Sequence, residues 1–161
     1  MCHYCGCRDI PLIKEFIAEH EVITEAAETI LRYLEREQPE RVQEVVERIF
    51  GELASHFAGE EDGLFAVMHP DPEYTDYIDD LVAEHRALTA LLREADPACA
   101  ADRERLAAAM NDIHRHIAKE EEGLFPVSLS ALTGEQWNTS MHAWQVAHPG
   151  RTPSWDTGVE A

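Results

Sequence analysis

His56-Phe57-Ala58-Gly59-Glu60-Glu61-Asp62-Gly63-Leu64-Phe65 returns sixty residues later as His116-Ile117-Ala118-Lys119-Glu120-Glu121-Glu122-Gly123-Leu124-Phe125. A second echo accompanies it: Glu19-His20 followed by Thr24 recurs as Glu84-His85 followed by Thr89. In each long copy a His precedes a Glu by four residues, the spacing that puts both side chains on one helix face, one turn apart. Two copies signify duplication of a helical hairpin and not a solenoid array. Each hairpin would bury its apolar face against the other.

The surrounding sequence is helix-favouring, rich in Ala, Leu, Glu and Arg. It is punctuated by Pro39, Pro70-Asp71-Pro72, Asp96-Pro97 and Thr133-Gly134. Five helices are predicted, near 10–37, 40–67, 74–95, 101–130 and 134–147, and no strand pattern occurs. Phe16, Ile17, Ile23, Ala27, Ile30, Leu31 and Leu34 recur at spacings of three and four, as a core-facing stripe requires. The reading is an all-α chain with a Cys-rich segment at 1–9, a bundle of four helices at 10–130, and an additional short C-terminal helix with a tail at 131–161.

Residues equally far from the turn of an antiparallel hairpin lie at equal depth. His20 and His56 are centred on Gln38, His56 and His85 between Pro70 and Asp71, and His85 and His116 between Ala100 and Ala101, each at or beside a predicted turn. At about 1.5 Å per residue every His lies roughly 25 Å from its turns, so all four share one layer, with Glu60 and Glu120 on the same faces. Four imidazoles and two carboxylates inside an apolar bundle need compensation for lost hydration, and metal coordination supplies it. Two ions bridged by both carboxylates, with two His each and a solvent-derived oxo or hydroxo bridge, keep a position open for a small ligand. Mixed imidazole and carboxylate ligation suits redox-active iron best, with manganese and zinc as alternatives.

This pattern of His, His-x-x-x-Glu, His, His-x-x-x-Glu, with Gly-Leu-Phe-Pro closing the last motif, resembles the hemerythrin HHE family over about residues 10–130. The resemblance implies an up-down-up-down four-helix bundle and a di-iron site with His20, His56, Glu60, His85, His116 and Glu120 as ligands. Oxygen-carrying members have a second His four residues after the first on the third helix, where this chain has Thr89. The resemblance therefore leans toward six-ligand members, associated with peroxide, nitric oxide or iron handling. The implied activity is redox chemistry with a small oxidant (peroxide, dioxygen or nitric oxide), as in a peroxidase- or catalase-like oxidoreductase. The alternative is a non-catalytic sensor or carrier of oxygen or iron.

Thr24 and Thr89 each lie one turn beyond a proposed ligand and are read as hydrogen-bonding a ligand or bound water. Glu61 and Glu121 are read as facing solvent or supporting the ligands from behind, His114 as facing away, and His69 as a surface residue. Leu64, Phe65, Leu124 and Phe125 are expected in the core, and Trp137 and Trp144 are expected to pack the last helix down.

Cys2, Cys5 and Cys7 form C-x-x-C-x-C, a soft cluster suited to zinc or iron. Its fourth partner is read as His142 or His148, with His3 next, because the last helix starts near that end of the bundle while Cys99 lies at the other. A redox-active thiol cluster and unligated thiols remain the alternatives. Acidic residues outnumber basic ones 32 to 13, and a net charge of -19 repels a phosphate backbone, so nucleic acid is not expected as a partner. With no apolar run of spanning length and no signal-peptide pattern, the chain is expected to be cytoplasmic, without a membrane partner.

Overall fold

The computed structural model describes residues 6–156, apart from the side chain of Cys7. Among these residues every regular element is helical. A 3-10 turn, Cys7–Asp9, leads into α1 (Pro11–Glu35). Then come α2 (Pro39–Gly59), a π-helical turn π1 (Glu60–Phe65) and α3 (Ala66–Met68), stacked as one continuous rod. After α4 (Thr75–Glu94), a second such rod runs through α5 (Ala100–Ala118), π2 (Lys119–Leu124) and α6 (Phe125–Ala131), and α7 (Gly134–Ala147) closes the order. The five predicted helices are all present. The two π turns, which fall on the repeated motif, were not anticipated.

The punctuating residues act locally. Pro11 and Pro39 open their helices at the first turn, where a missing N–H costs nothing and the ring presets φ. The end of α1 folds back through Glu37, whose φ of 51° is left-handed: Glu37 N–H donates to Leu34 O and Gln38 N–H to Tyr33 O, a Schellman turn delivered straight into Pro39. Thr133 caps α7 in a capping box with Gln136.

α1 packs against α2 and α5, α4 packs against α5 and α2, and α7 lies across π1 and α2. Apolar burial is split in two. One half gathers Ile23, Ile30, Val46, Leu53, Leu106 and Met110; the other gathers Leu12, Phe16, Leu64, Phe65, Leu124 and Trp144. Along the chain α1 passes from the second half to the first, the rod of α2 back again, α4 out, and the rod of α5 back. Each rod crosses the boundary at one of the four histidines. His20, His56, Glu60, His85 and Glu120 are all buried there, a polar layer between two oily halves. No helix among the described residues is long and apolar enough to cross a membrane.

Candidate metal centre

Each histidine enters this layer with its ring already held from behind. Nδ1 of His20 donates to Glu121 (2.9 Å), that of His56 to Glu19 (2.8 Å), that of His85 to Glu61 (2.9 Å) and that of His116 to Glu84 (2.7 Å). An ionised carboxylate can only accept, so each Nδ1 carries its hydrogen and each Nε2 is left with a lone pair facing the layer's centre. Behind each carboxylate stands a cation: Arg8 on Glu121, Arg151 on Glu19, Arg86 on Glu61 and Lys119 on Glu84. Four cation–carboxylate–imidazole lines therefore converge. Orienting partners of this kind fix the tautomer and raise the basicity of a metal-binding His.

The inner carboxylates divide their oxygens between two histidine pairs. Glu60 turns Oε1 to His56 (3.3 Å) and His20 (3.6 Å), and Oε2 to His85 (3.5 Å). Glu120 turns Oε2 to His20 (3.0 Å), and Oε1 to His116 (3.1 Å) and His85 (3.4 Å). His20, His56, Glu60 and Glu120 bring one donor atom each within 4.8 Å of one another, and so do His85, His116 and Glu120. Metal bonds of about 2.1 Å at right angles leave neighbouring donors about 3.0 Å apart, the spacing approached here.

A cation also fits on polar-satisfaction grounds. Both oxygens of Glu60, both of Glu120 and Nε2 of His20 are buried without a hydrogen-bond partner. Nε2 of His85 and Nε2 of His116 face each other at 3.0 Å, two lone pairs in contact when both Nδ1 atoms hold the hydrogen. Such a set is unfavourable by itself and is relieved by positive charge at its centre.

Without metal, protons are the available positive charge. Burial pulls His20 toward its neutral form, but Glu120, Glu121 and Glu60 outweigh it and raise its pKa well above the ordinary value. Burial likewise opposes charge on His85, yet Glu120, Glu61 and Glu60 lift it from 6.5 to about 9. Burial would raise Glu19, but contacts from His148 and His56 bring it from 4.5 down to about 2. Linkage then fixes the sign for the chelator-treated chain. His85 contributes stability that is fully present below pH 6.5 and lost as pH rises through about 9, and Glu19 contributes stability present above pH 4.5 and lost as pH falls through about 2. The thermal midpoint of the metal-free chain is expected to be flat between these limits and to fall on both sides. A midpoint that climbs from pH 6.5 to 9 would contradict it.

The π turns seat the two paired acids. Glu60 and Glu61 begin π1, and Glu120 and Glu121 lie in the first turn of π2, so one acid of each pair faces the centre while its neighbour reaches a histidine on another helix. π-type turns gather at functional sites. Glycine makes them fit: a Cβ on Gly63 would stand 3.0 Å from the Ser140 carbonyl oxygen of α7, and one on Gly123 would collide with the hydroxyl of Tyr77, which donates to Lys119 O (2.7 Å).

The six sequence-predicted residues thus meet in one layer, and Glu61 and Glu121 stand behind histidines. Glu19 and Glu84 were missed, although each precedes a His in the repeat. Thr89 does not reach an imidazole; its hydroxyl donates to the His85 carbonyl (2.8 Å), satisfying its own helix. Thr24 is half-buried. His148, one of the two expected partners of the cysteines, is buried: Nδ1 donates to Trp144 O (2.7 Å) and Nε2 lies 2.7 Å from Glu19 Oε1, a close contact off the hydrogen-bonding line. His142 and His114 are exposed, and His69 pairs with Asp79. Cys2, His3 and Cys5, and the side chain of Cys7, lie outside the described residues. Cys99 is exposed.

The profile of the hemerythrin HHE cation binding domain matches residues 12–128. No curated protein and no solved structure is significantly similar to the chain.

Proposed function

From the premise that the chain belongs to the hemerythrin HHE cation-binding family, we propose that it is a di-iron protein that reacts with a small oxidant, peroxide first among dioxygen, peroxide and nitric oxide. The observation that carries the reading is the division of Glu60 and Glu120, each with one oxygen toward His20 and His56 and the other toward His85 and His116. One ion per histidine pair, with both carboxylates shared, uses every unpartnered oxygen of the layer. The alternating order in which the rods meet the two apolar halves supports an up-down-up-down four-helix bundle as the frame.

Iron held there would supply one-electron chemistry and open coordination positions for the oxidant. The chain's own residues orient the rings and control access. Phe57 stacks on His85 at 3.8 Å between centroids, and Phe125 lies parallel to His20 at 5.9 Å, shielding both rings from water. A groove of about 240 Å³ between α4 and α5, walled by Leu88, Leu91, Ala109 and Ile113, ends on His85 and His116. Its volume exceeds that of the engineered 150 Å³ cavity that binds benzene, so it has room for a diatomic or a peroxide. Thr89, turned to its own helix, adds no third imidazole to the His85/His116 pair, which favours reaction over simple oxygen carriage.

Iron quantification with a peroxide-titrated visible spectrum tests this. Two irons per chain, a spectrum that responds to peroxide, and loss of turnover in His56→Ala are expected. Equal turnover in parent and His56→Ala would remove the site from the chemistry, and a chain purified without stoichiometric metal would make it a metal-free interaction domain.

A further inference from the structure

The four histidine–carboxylate pairs repeat, but their surroundings do not. The Glu121, Glu61 and Glu84 side chains are 11%, 26% and 40% exposed, and each pairs with a cation on the surface. Glu19 is 6% exposed and is gripped from several sides. Its Oε2 accepts from His56, while its Oε1 accepts from Trp144 Nε1 (3.2 Å) and Arg151 (3.0 Å) and lies 2.7 Å from His148 Nε2. The gripping groups form one stack: the Trp144 ring lies 4.1 Å from that of His148 and carries the Arg151 guanidinium 5.1 Å from its centroid. Gly59, three residues after His56, leaves room for them, since a Cβ there would lie 3.3 Å from His148 Cε1 and 3.4 Å from Trp144 Cδ1. Trp144 is fully buried, and Ser154 N–H ties the following tail to Glu15. All three gripping residues come from α7 and the tail, beyond the family match that ends at residue 128.

We propose that Trp144 and Arg151, with His148 stacked on Trp144, are positioning residues of the metal centre: through Glu19 they fix the His56 ring and make the His20/His56 position the more firmly held of the two. This rests on the two-ion reading above. A carboxylate with several donors on it cannot swing away from His56, so Nδ1–H stays in place and Nε2 stays aimed inward. Glu84, its repeat-related counterpart behind His116, has only Lys119 as a further partner among the described residues and is open to water. The C-terminal segment thus breaks the equivalence of two halves that the repeat makes alike.

Trp144→Phe keeps an aromatic ring and removes the N–H; Arg151→Met removes the charge, and Arg151→Lys keeps it without the guanidinium's fork of donors; Lys119→Met is the counterpart control on Glu84. In the iron-loaded chain, chelator should draw out one ion roughly 10–100-fold faster in Trp144→Phe and Arg151→Met, the usual span for outer partners of a ligand, and leave the other near its parent rate. Arg151→Lys should recover part of the difference. In the metal-free chain, solvent exchange of the His56 Nδ1 hydrogen, followed by NMR, should quicken about tenfold in Trp144→Phe, with His116 unchanged, and Lys119→Met should show the reverse selectivity. Equal release of both ions, or an unmoved His56 hydrogen, would overturn the proposal even where the parent holds two irons. A parent without iron would refute the two-ion reading while the exchange measurement still decides whether Glu19 is gripped.

Discussion

Glu60→Gln is expected to cost the protein both of the metal ions proposed for it. The Glu60 carboxylate is fully buried, and its two oxygens face different histidine pairs without a hydrogen bond between them. The amide keeps the shape but removes the charge and offers one position an N–H₂ group, which repels a cation and cannot coordinate through a lone pair. A group shared by two ions takes part in holding both, so affinity should fall by more than the roughly 10–100-fold typical of outer partners. Metal content per chain after gel filtration checks this. Retention of one full equivalent would mean that Glu60 serves a single ion and that the bridging arrangement is wrong. Since metal binding is folding free energy, the midpoint of the variant should also stop responding to added iron.

Phe125→Ala should be the most damaging change outside the ligand set. Phe125 is 1% exposed and stacks against Phe16 at 5.8 Å and along the ring of His20. Removing a buried aromatic ring costs about 3–5 kcal/mol through lost transfer energy and the cavity left behind. That is a large share of the roughly 5–15 kcal/mol by which domains are stable. The loss should appear in urea unfolding of the chelator-treated chain, where metal cannot mask it. A cost below about 1 kcal/mol would mean that the layer is not packed as described. Because Phe125 flanks His20, the surviving fold should also hold iron less tightly.

The helices were legible because they obey simple periods. Pro39, Pro70, Pro72, Pro97 and Thr133 stand where rods begin or end, and the stripe from Phe16 to Ile30 lies in the core. The six central residues were legible because duplication wrote each motif twice and turn positions fix depth along antiparallel rods. Glu19 and Glu84 had a signal, each preceding a repeated His, but among 32 acidic residues adjacency alone carries little weight. The π turns had none, since widening by one residue depends on what Gly63 and Gly123 must let in from other helices. The contacts of His148 had no signal for a similar reason: the register of the last helix against α2 is set by packing, here by Trp144 beside Gly59.

The crossing of the supports has one more consequence. His56 and His116 draw their carboxylates from their own hairpins, Glu19 and Glu84, whereas His20 takes Glu121 and His85 takes Glu61 from the opposite one. Neither hairpin supports both of its own histidines: each lends one carboxylate to a histidine of the other. The two hairpins, joined through Pro70-Asp71-Pro72, are thus interlocked by the carboxylates they lend each other. The exchange ties the hairpins together on both sides of the layer, while the supports kept at home, Glu19 and Glu84, are the pair that differ, one enclosed and the other open to water.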